Sequence, residues 1–181
     1  MGQPKAGVML AGRPMLAYPI DAVRAAGLDP IVVAKPETPL PDVVCEVIRE
    51  GDARNHPAAG ILAALRAADG APVVVVACDM PFVEPGLIRF VAGLGAVVAV
   101  PRVRGRLEPL LARYSPPAIP ALEAAIAGGG PLQDAIEGPD TVVLDEHELA
   151  RFGEPGRLTS NVNDQVELAS ADRLLAAGAA R

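Results

Sequence analysis

The sequence contains few aromatic residues and few lysines. It has no Trp, two Tyr and three Phe, only two of its 16 basic residues are lysines, and its formal net charge is −6. A surface that binds nucleic acid usually needs a basic face or a set of rings on which bases stack. The composition therefore argues against a nucleic-acid-binding protein and favours a small-molecule ligand.

Long apolar runs and paired cysteines are also missing. No apolar run approaches the roughly 20 residues that cross a membrane, and the opening MGQPKAGVML has no apolar block followed by a small-residue cleavage site. Cys45 and Cys78 lie far apart and form no CxxC pair, which disfavours a zinc site or a disulfide framework. We therefore expect a cytoplasmic protein with reduced thiols and no membrane partner.

The residues that are present indicate one folded unit. With 51% apolar and 21% charged residues, the 181-residue chain is predicted to form a single domain over 1–181. Strand-like and helix-like segments alternate, which predicts a Rossmann-like three-layer α/β/α fold with a mostly parallel central sheet. Strands are predicted at 31–34, 43–50, 73–76, 96–101 and 141–145. Helices are predicted at 14–28 (with Pro19 as a kink or start), 58–68, 85–94, 118–130 and 166–178, while 107–114 fits either type.

The stretch VVVVACDMPF, residues 73–82, is the most apolar part of the chain, and it ends with Asp79. Four valines without polar alternation predict a strand buried on both faces in the middle of a parallel sheet. Ligands of open α/β sheets bind at the carboxyl ends of the strands, so Asp79 is a candidate ligand-binding residue. By local chemistry alone, a turn residue or the N-cap of the next helix is the simpler interpretation.

Six short segments follow one another in a characteristic order. They are MGQPKA, LAGRPML, HPAAGILAAL, CDMPFVEPGLI, RLEPLLARY and NVNDQVELA. This series resembles the molybdenum cofactor guanylyltransferase family, sugar-nucleotidyltransferase-like enzymes that transfer GMP from GTP to molybdopterin cofactor. The resemblance covers nearly the whole chain, and the order and spacing of the segments carry it more than any single segment does.

The resemblance implies roles for residues on the nucleotide side. Lys5 and Asp79 match the catalytic lysine and the magnesium-binding aspartate, and the implied cofactor is Mg²⁺ with GTP as substrate. A lysine provides a point charge for phosphate, and Mg²⁺ needs only one or two protein carboxylates. His56 replaces the glycine that the family usually has before its base-pocket segment. The nucleotide-binding residues implied by the matching motifs are Gly2, Lys5, Asp52, Pro57, Ala58, Gly60 and Asp79.

On the acceptor side the resemblance implies Glu108, Asn161 and Asn163, with molybdopterin cofactor as ligand and molybdoenzyme-maturation proteins as candidate partners. By local chemistry an Asn turn and N-cap explains the two asparagines equally well. The acceptor phosphate is already ionised, so the reaction needs no general base or covalent nucleophile. We therefore expect His147 and Ser160 to be surface or turn residues.

One departure from the family concerns the N-terminus. The family begins with a strand that runs into a glycine-rich LAGGxSxRMG loop, whereas this sequence starts at a residue pair that matches the final MG of that loop. The internal VMLAGRP segment lacks the second glycine and fits the later LAGRPL segment better. We therefore expect the native start codon to lie upstream of Met1.

Three alternatives remain open. The MGxPK segment also occurs in CTP-dependent cytidylyltransferases of the same superfamily, and a non-catalytic nucleotide-binding relative would keep the same fold. A phosphoacceptor receiver domain also places an aspartate at the end of a central strand before a Met-Pro turn. Receivers need a lysine after a late strand, but the only lysines here are Lys5 and Lys35.

Overall fold

The computed structural model describes residues 5–51 and 55–179, which form strands and helices in alternation. None of the helices within these ranges is both long and apolar enough to cross a membrane. The strands are β1 (Met9–Leu10), β2 (Arg13–Pro14), β3 (Ile31–Ala34), β4 (Glu46–Arg49), β5 (Val73–Val76), β6 (Val98–Val103), β7 (Arg106–Leu107), β8 (Leu111–Tyr114) and β9 (Thr141–Leu144). The helices are α1 (Ala17–Ala25), α2 (Pro57–Ala67), α3 (Pro85–Ala92), α4 (Ile119–Gly128), α5 (Leu132–Ile136), α6 (Glu146–Leu149), α7 (Pro155–Leu158) and α8 (Gln165–Ala179).

The strands form one larger sheet and two pairs. In the larger sheet β8 lies between β5 and β6, and it is antiparallel to both. Strand β9 pairs with β6 in parallel, so β5, β6 and β9 share one direction. Strands β3 and β4 form a separate parallel pair, and β1 and β2 form a short antiparallel pair. The α/β prediction is therefore confirmed, and its parallel pairs are β3–β4 and β6–β9.

The valine strand β5 differs from the prediction. Among the described strands it pairs only with β8, and its four valines are only partly buried. Strand β8 returns from β6 through β7 and a short loop, and such short connections join antiparallel strands. Because β5 and β6 run in the same direction, β8 is antiparallel to β5 as well. The prediction of a strand in the middle of a parallel sheet, buried on both faces, was therefore wrong for this strand in the described structure.

Helices cover both faces of the larger sheet, as the three-layer prediction requires. Val98 and Val100 of β6 pack with α2, α4 and α5 in one hydrophobic cluster. Ala99, between them, packs on the opposite face with α1 and α3. This alternation follows from the two-residue period of a strand, which sends successive side chains to opposite faces.

Most predicted elements are present, with shifted ends. Pro14 belongs to β2, so α1 begins only at Ala17, and Pro19 lies in its first turn, where a missing N–H costs little. The ambiguous segment 107–114 contains the last residue of β7, a loop over 108–110 and strand β8. The short helices α5, α6 and α7 were not predicted, because segments of four or five residues show no helical period.

Candidate functional site

Asp79 lies just after β5, on a tight turn that also contains Cys78. The Met80 amide donates to the Ala77 carbonyl at 3.2 Å, which closes this turn. The N-cap of the following helix α3 is Glu84, not Asp79, so the simple N-cap interpretation is wrong. The Asp79 side chain is only 13% exposed, and its position at the end of a strand fits a ligand-binding carboxylate.

Lys5 connects Asp79 to the last loop of the chain. Its Nζ donates to Asp79 Oδ2 at 2.7 Å and to Asn163 Oδ1 at 2.5 Å. We call these three residues, Lys5, Asp79 and Asn163, the Lys5 bridge. The sequence predicted each of them for the site, and the fold brings together residues that are 74 and 158 positions apart.

The loop before α8 is held directly against the Asp79 turn. The Val162 amide donates to the Asp79 carbonyl at 2.9 Å, and the Val162 side chain is buried among Leu10, Met15 and Phe82. Asn161 and Asn163 flank this anchor. Asp164 accepts from the amides of residues 166 and 167 and so caps α8, while the Asn163 amide donates to Glu167.

A cleft of about 480 Å³ lies beside the Lys5 bridge, and we call it the hairpin cleft because the β6–β7 hairpin forms one wall. The sequence predicted Glu108, Asn161 and Asn163 for the acceptor side, and all three line this cleft. Asn163 belongs to both the cleft and the Lys5 bridge. The other lining residues are Val103, Arg104, Arg106, Leu107, Gln133, Gly156, Thr159, Ser160 and Glu167.

Sequence reasoning did not identify Arg104, Arg106, Gln133 or Glu167 as cleft residues. Arg104 and Gly105 form the hairpin tip with φ values of +52° and +76°, which suits a tight two-residue turn. The Arg104 amide donates to Glu146 Oε1 at 2.6 Å, so the tip is attached to α6. In the segment VRGRL, residues 103–107, a turn glycine lies between two arginines, and each arginine is flanked by an apolar residue. This pattern predicts the hairpin.

The backbone around Glu108 is held on several sides. Its amide donates to the Pro101 carbonyl and its carbonyl accepts from the Leu111 amide, both at 2.9 Å. The buried Tyr114 hydroxyl donates to the Pro109 carbonyl at 2.8 Å. Burial raises the pKa of the Tyr114 phenol above its usual range, so it stays a hydrogen-bond donor. Glu108 is therefore presented to the hairpin cleft from a fixed loop.

Two oxygen acceptors in the hairpin cleft have no hydrogen-bond donor within the described ranges. Burial raises the pKa of the Glu108 carboxyl, an effect that the nearby Arg106 charge partly opposes, and no hydrogen bond from residues 5–51 or 55–179 reaches this carboxylate. Asn161 Oδ1 is buried, and in the same part of the chain it too lacks a partner. The Gln133 amide, by contrast, donates to the Leu107 carbonyl at 3.0 Å.

The residues predicted for the base pocket lie at the start of α2. His56 is the N-cap: its Nδ1 accepts from the Ala58 amide at 3.2 Å, and its Nε2 lies 2.9 Å from the Gly130 carbonyl. The Ala58 side chain is in the core, Pro57 is exposed and Gly60 is half-buried. No hydrogen bond or ion pair of the described chain links these residues to the Lys5 bridge. Gly2 and Asp52 lie outside the described residues.

The sequence profile of the MobA-like NTP transferase domain family matches residues 1–145, which is most of the chain. The chain belongs to this family. Membership confirms the resemblance of the motif series and shows that the protein is a nucleotidyltransferase, and it excludes the receiver-domain interpretation.

Individual relatives of this MobA-like protein agree with the assignment. A molybdenum cofactor guanylyltransferase from Pseudomonas putida is 31% identical over 170 residues, which cover 87% of each chain. One from Desulfosudis oleivorans is 28% identical over 98% of this chain and 90% of its own. The crystal structure of molybdopterin-guanine dinucleotide biosynthesis protein A from Archaeoglobus fulgidus superimposes with a TM-score of 0.80 at 25% identity, over 97% and 92% of the two chains.

Two further properties of the MobA-like site concern its chemistry. Burial and the neighbouring Asp79 charge raise the pKa of the Cys78 thiol to about 11, while Lys5 lowers it, so Cys78 is protonated at neutral pH and is no nucleophile. No group of three or more His, Cys, Asp or Glu residues that could hold a metal occurs in the described part of the chain. Asp79 nevertheless fits a hydrated Mg²⁺, because its carboxylate already contacts one cation, the Lys5 ammonium.

Proposed function

We propose that this MobA-like protein transfers GMP from GTP to molybdopterin cofactor. The observation that carries the proposal is the position of Asn163, which contacts Lys5 of the Lys5 bridge and also lines the hairpin cleft. A nucleotide phosphate bound at Lys5 and Asp79 would then lie beside an acceptor bound in the cleft. Such proximity is what a transfer between two bound substrates requires. The names of the relatives supply the guanylyl group and the molybdenum cofactor.

The residues of the Lys5 bridge have distinct roles in this proposal. An oxygen of the acceptor phosphate attacks the α-phosphorus of GTP, the bond from that phosphorus to the bridging oxygen breaks, and pyrophosphate leaves with the electron pair. Lys5 binds the phosphates and offsets their negative charge. Asp79 would hold Mg²⁺, which when bound supplies further neutralisation of phosphate charge. Asn163 keeps the Lys5 ammonium in place between the two substrates.

The remaining predicted residues complete the proposal. We assign the guanine side to the start of α2, with Pro57, Ala58 and Gly60, and to Gly2 and Asp52. Ala58 has its side chain in the core, so it would contribute through its backbone. We assign the acceptor to Glu108, Asn161 and Asn163. A cytoplasmic location and transfer of the product to molybdoenzyme-maturation proteins are part of the same proposal.

The test is a transfer assay with purified protein, GTP or CTP, molybdenum cofactor and Mg²⁺. We expect pyrophosphate release and a guanine dinucleotide product, detected by mass spectrometry, only when GTP, cofactor and metal are all present. Faster product formation with CTP would contradict the guanylyl assignment and support a cytidylyltransferase. Binding of GTP without pyrophosphate release from either nucleotide would instead support a non-catalytic relative.

A further inference from the structure

The hairpin cleft contains acceptors that the folded chain leaves without donors. Glu108 is half-buried and receives no hydrogen bond within the described residues, and Asn161 Oδ1 is buried and equally unpaired there. Buried polar atoms in native proteins are almost always paired, and each exception needs an explanation. Asn161 Oδ1 is such an exception, and because Glu108 lines the same cleft, one bound ligand that offers N–H groups would engage both residues.

Other polar groups in the cleft do not need such a ligand. The Glu167 carboxylate accepts from the Asn163 amide at 2.6 Å, and the Ser160 hydroxyl donates to the Arg157 carbonyl at 2.8 Å. Gln133 donates to the Leu107 carbonyl. The described chain thus already engages Glu167, Ser160 and Gln133, whereas it gives no hydrogen bond to the Glu108 carboxylate or to Asn161 Oδ1.

We propose that Glu108 is a specificity-determining residue that accepts hydrogen bonds from the amino-pyrimidinone edge of a pterin ring in the hairpin cleft. This edge carries an exocyclic amine and a ring N–H side by side, two parallel donors that match the two oxygens of one carboxylate. Asn161 Oδ1 provides a further acceptor in the same cleft. The inference rests on the proposed function, which places a pterin-containing acceptor there.

Guanine has the same donor edge, so the position of the cleft decides between the two rings. The motif match assigns the nucleotide base to the start of α2, and no hydrogen bond or ion pair among described residues joins that region to Glu108. The cleft instead contains Asn163, which contacts Lys5, and none of Pro57, Ala58 and Gly60 lines it. We therefore assign the pterin, and not guanine, to Glu108.

The experiment compares two ligands that differ at one position of the ring. 6-Hydroxymethylpterin carries the exocyclic amine, whereas 6-hydroxymethyllumazine has a carbonyl oxygen there, which would face the Glu108 carboxylate. Fluorescence titration of the unmodified protein should show tighter binding of the pterin by about ten-fold or more, the usual size of a charged hydrogen bond. Equal binding of the two ligands, or binding of neither, would overturn the proposal.

Two variants identify the residue responsible. Glu108→Gln should reduce the pterin preference to within about two-fold, because the glutamine amide replaces one carboxylate oxygen with an NH2 donor that opposes a donor of the ring. Glu167→Gln removes the same charge from the same cleft but still accepts from the Asn163 amide, so it should keep the preference. Loss of the preference in both variants, or in neither, would contradict a specific role for Glu108. GTP binding in each variant checks that it is folded.

A nucleotide comparison separates the two rings. Discrimination between GTP and ITP, which lacks the exocyclic amine, should be the same in Glu108→Gln as in the unmodified protein. Loss of that discrimination would mean that Glu108 binds guanine and would overturn the pterin assignment. Failure of this inference and of the proposed function are distinguishable: product formation without a pterin preference rejects only the inference, whereas a pterin preference without product formation rejects only the transferase.

Discussion

The Lys5 bridge and the hairpin cleft share Asn163 but satisfy their polar groups in opposite ways. In the bridge the Asp79 carboxylate is paired with the Lys5 ammonium at 2.7 Å. In the cleft, Glu108 and Asn161 Oδ1 have no donor from the described chain. A ligand must therefore compete with an internal partner at the bridge, whereas in the cleft it meets groups that are already free to bind it.

The largest expected effect comes from removing the charge at the bridge. Asp79→Asn should lower the rate of nucleotidyl transfer by about 10²- to 10³-fold, because the phosphates lose the carboxylate that would hold a neutralising cation. Initial rates of pyrophosphate release measure this effect. Asp69→Asn is the matched control: Asp69 is exposed in a turn with φ +45°, which asparagine tolerates, so its rate should not change. Normal transfer by Asp79→Asn would refute the role of the bridge.

Lys5→Ala should affect nucleotidyl transfer and metal binding in opposite directions. Transfer should fall by about 10²-fold as phosphate contacts are lost. Mn²⁺ affinity without nucleotide, measured by the signal of free Mn²⁺ in electron paramagnetic resonance, should rise by up to about five-fold because Asp79 loses its competing cation. Lys35→Ala removes the only other lysine, which lies 4.0 Å from Glu50, and should alter neither quantity. Weaker Mn²⁺ binding by Lys5→Ala would show that Lys5 does not compete with metal.

The two asparagines beside Val162 test whether a paired and an unpaired side chain contribute differently to the free energy of unfolding. Asn163→Ala removes a hydrogen bond to Lys5 and should lower the free energy of unfolding by about 1 kcal/mol. Asn161→Ala removes a buried oxygen that has no partner in the described structure, so it should cost nothing measurable. Urea unfolding of both variants without ligands gives the comparison. A larger loss for Asn161→Ala would mean that its oxygen is already satisfied.

The smallest effect is the pH dependence that Glu108 contributes. Burial raises its pKa above the usual 4.5 in the folded state only, so the folded protein binds this proton more tightly than the unfolded chain. Ionisation of Glu108 therefore opposes folding, and this penalty develops as pH rises from 4.5 through the raised pKa. Glu108→Gln should be more stable at pH 7 by at most about 0.5 kcal/mol, since the group is half-exposed, and the gain should vanish near pH 4. A stability gain of Glu108→Gln that grows as the pH falls would contradict a raised pKa of Glu108.

The order of the elements and the identity of the bridge residues were predictable from local patterns. Helices α2, α3 and α4 follow apolar periodicity and have Pro in their first turn, α8 begins after the cap Asp164, and β3, β5 and β9 follow short apolar runs. Lys5, Asp79 and Asn163 followed from the motif series. Periodicity did not predict the antiparallel insertion of β8, because the direction of a strand depends on which neighbours it pairs with across the sheet.

The cleft shows the same division. Glu108 and Asn161 were predicted as acceptor residues, but nothing in the sequence indicated that their oxygens would lack donors. Hydrogen-bond satisfaction depends on partners that are distant along the chain, such as Tyr114 fixing the Glu108 loop and Val162 fixing the asparagine loop to Asp79. Gln133 and Glu167 reach the cleft from two different helices, so no local spacing could have joined them to Glu108.

The α/β class, the family and the residue types of a phosphate site were predictable before folding was considered, because they are properties of local apolar periods and short motifs. The pairing of Lys5 with both Asp79 and Asn163, and the lack of a described donor at Glu108 and Asn161 Oδ1, follow only from the packed chain. The physical reason is that pairing and burial are set by contacts between segments 74 to 158 residues apart. Such contacts form only when the whole chain has packed.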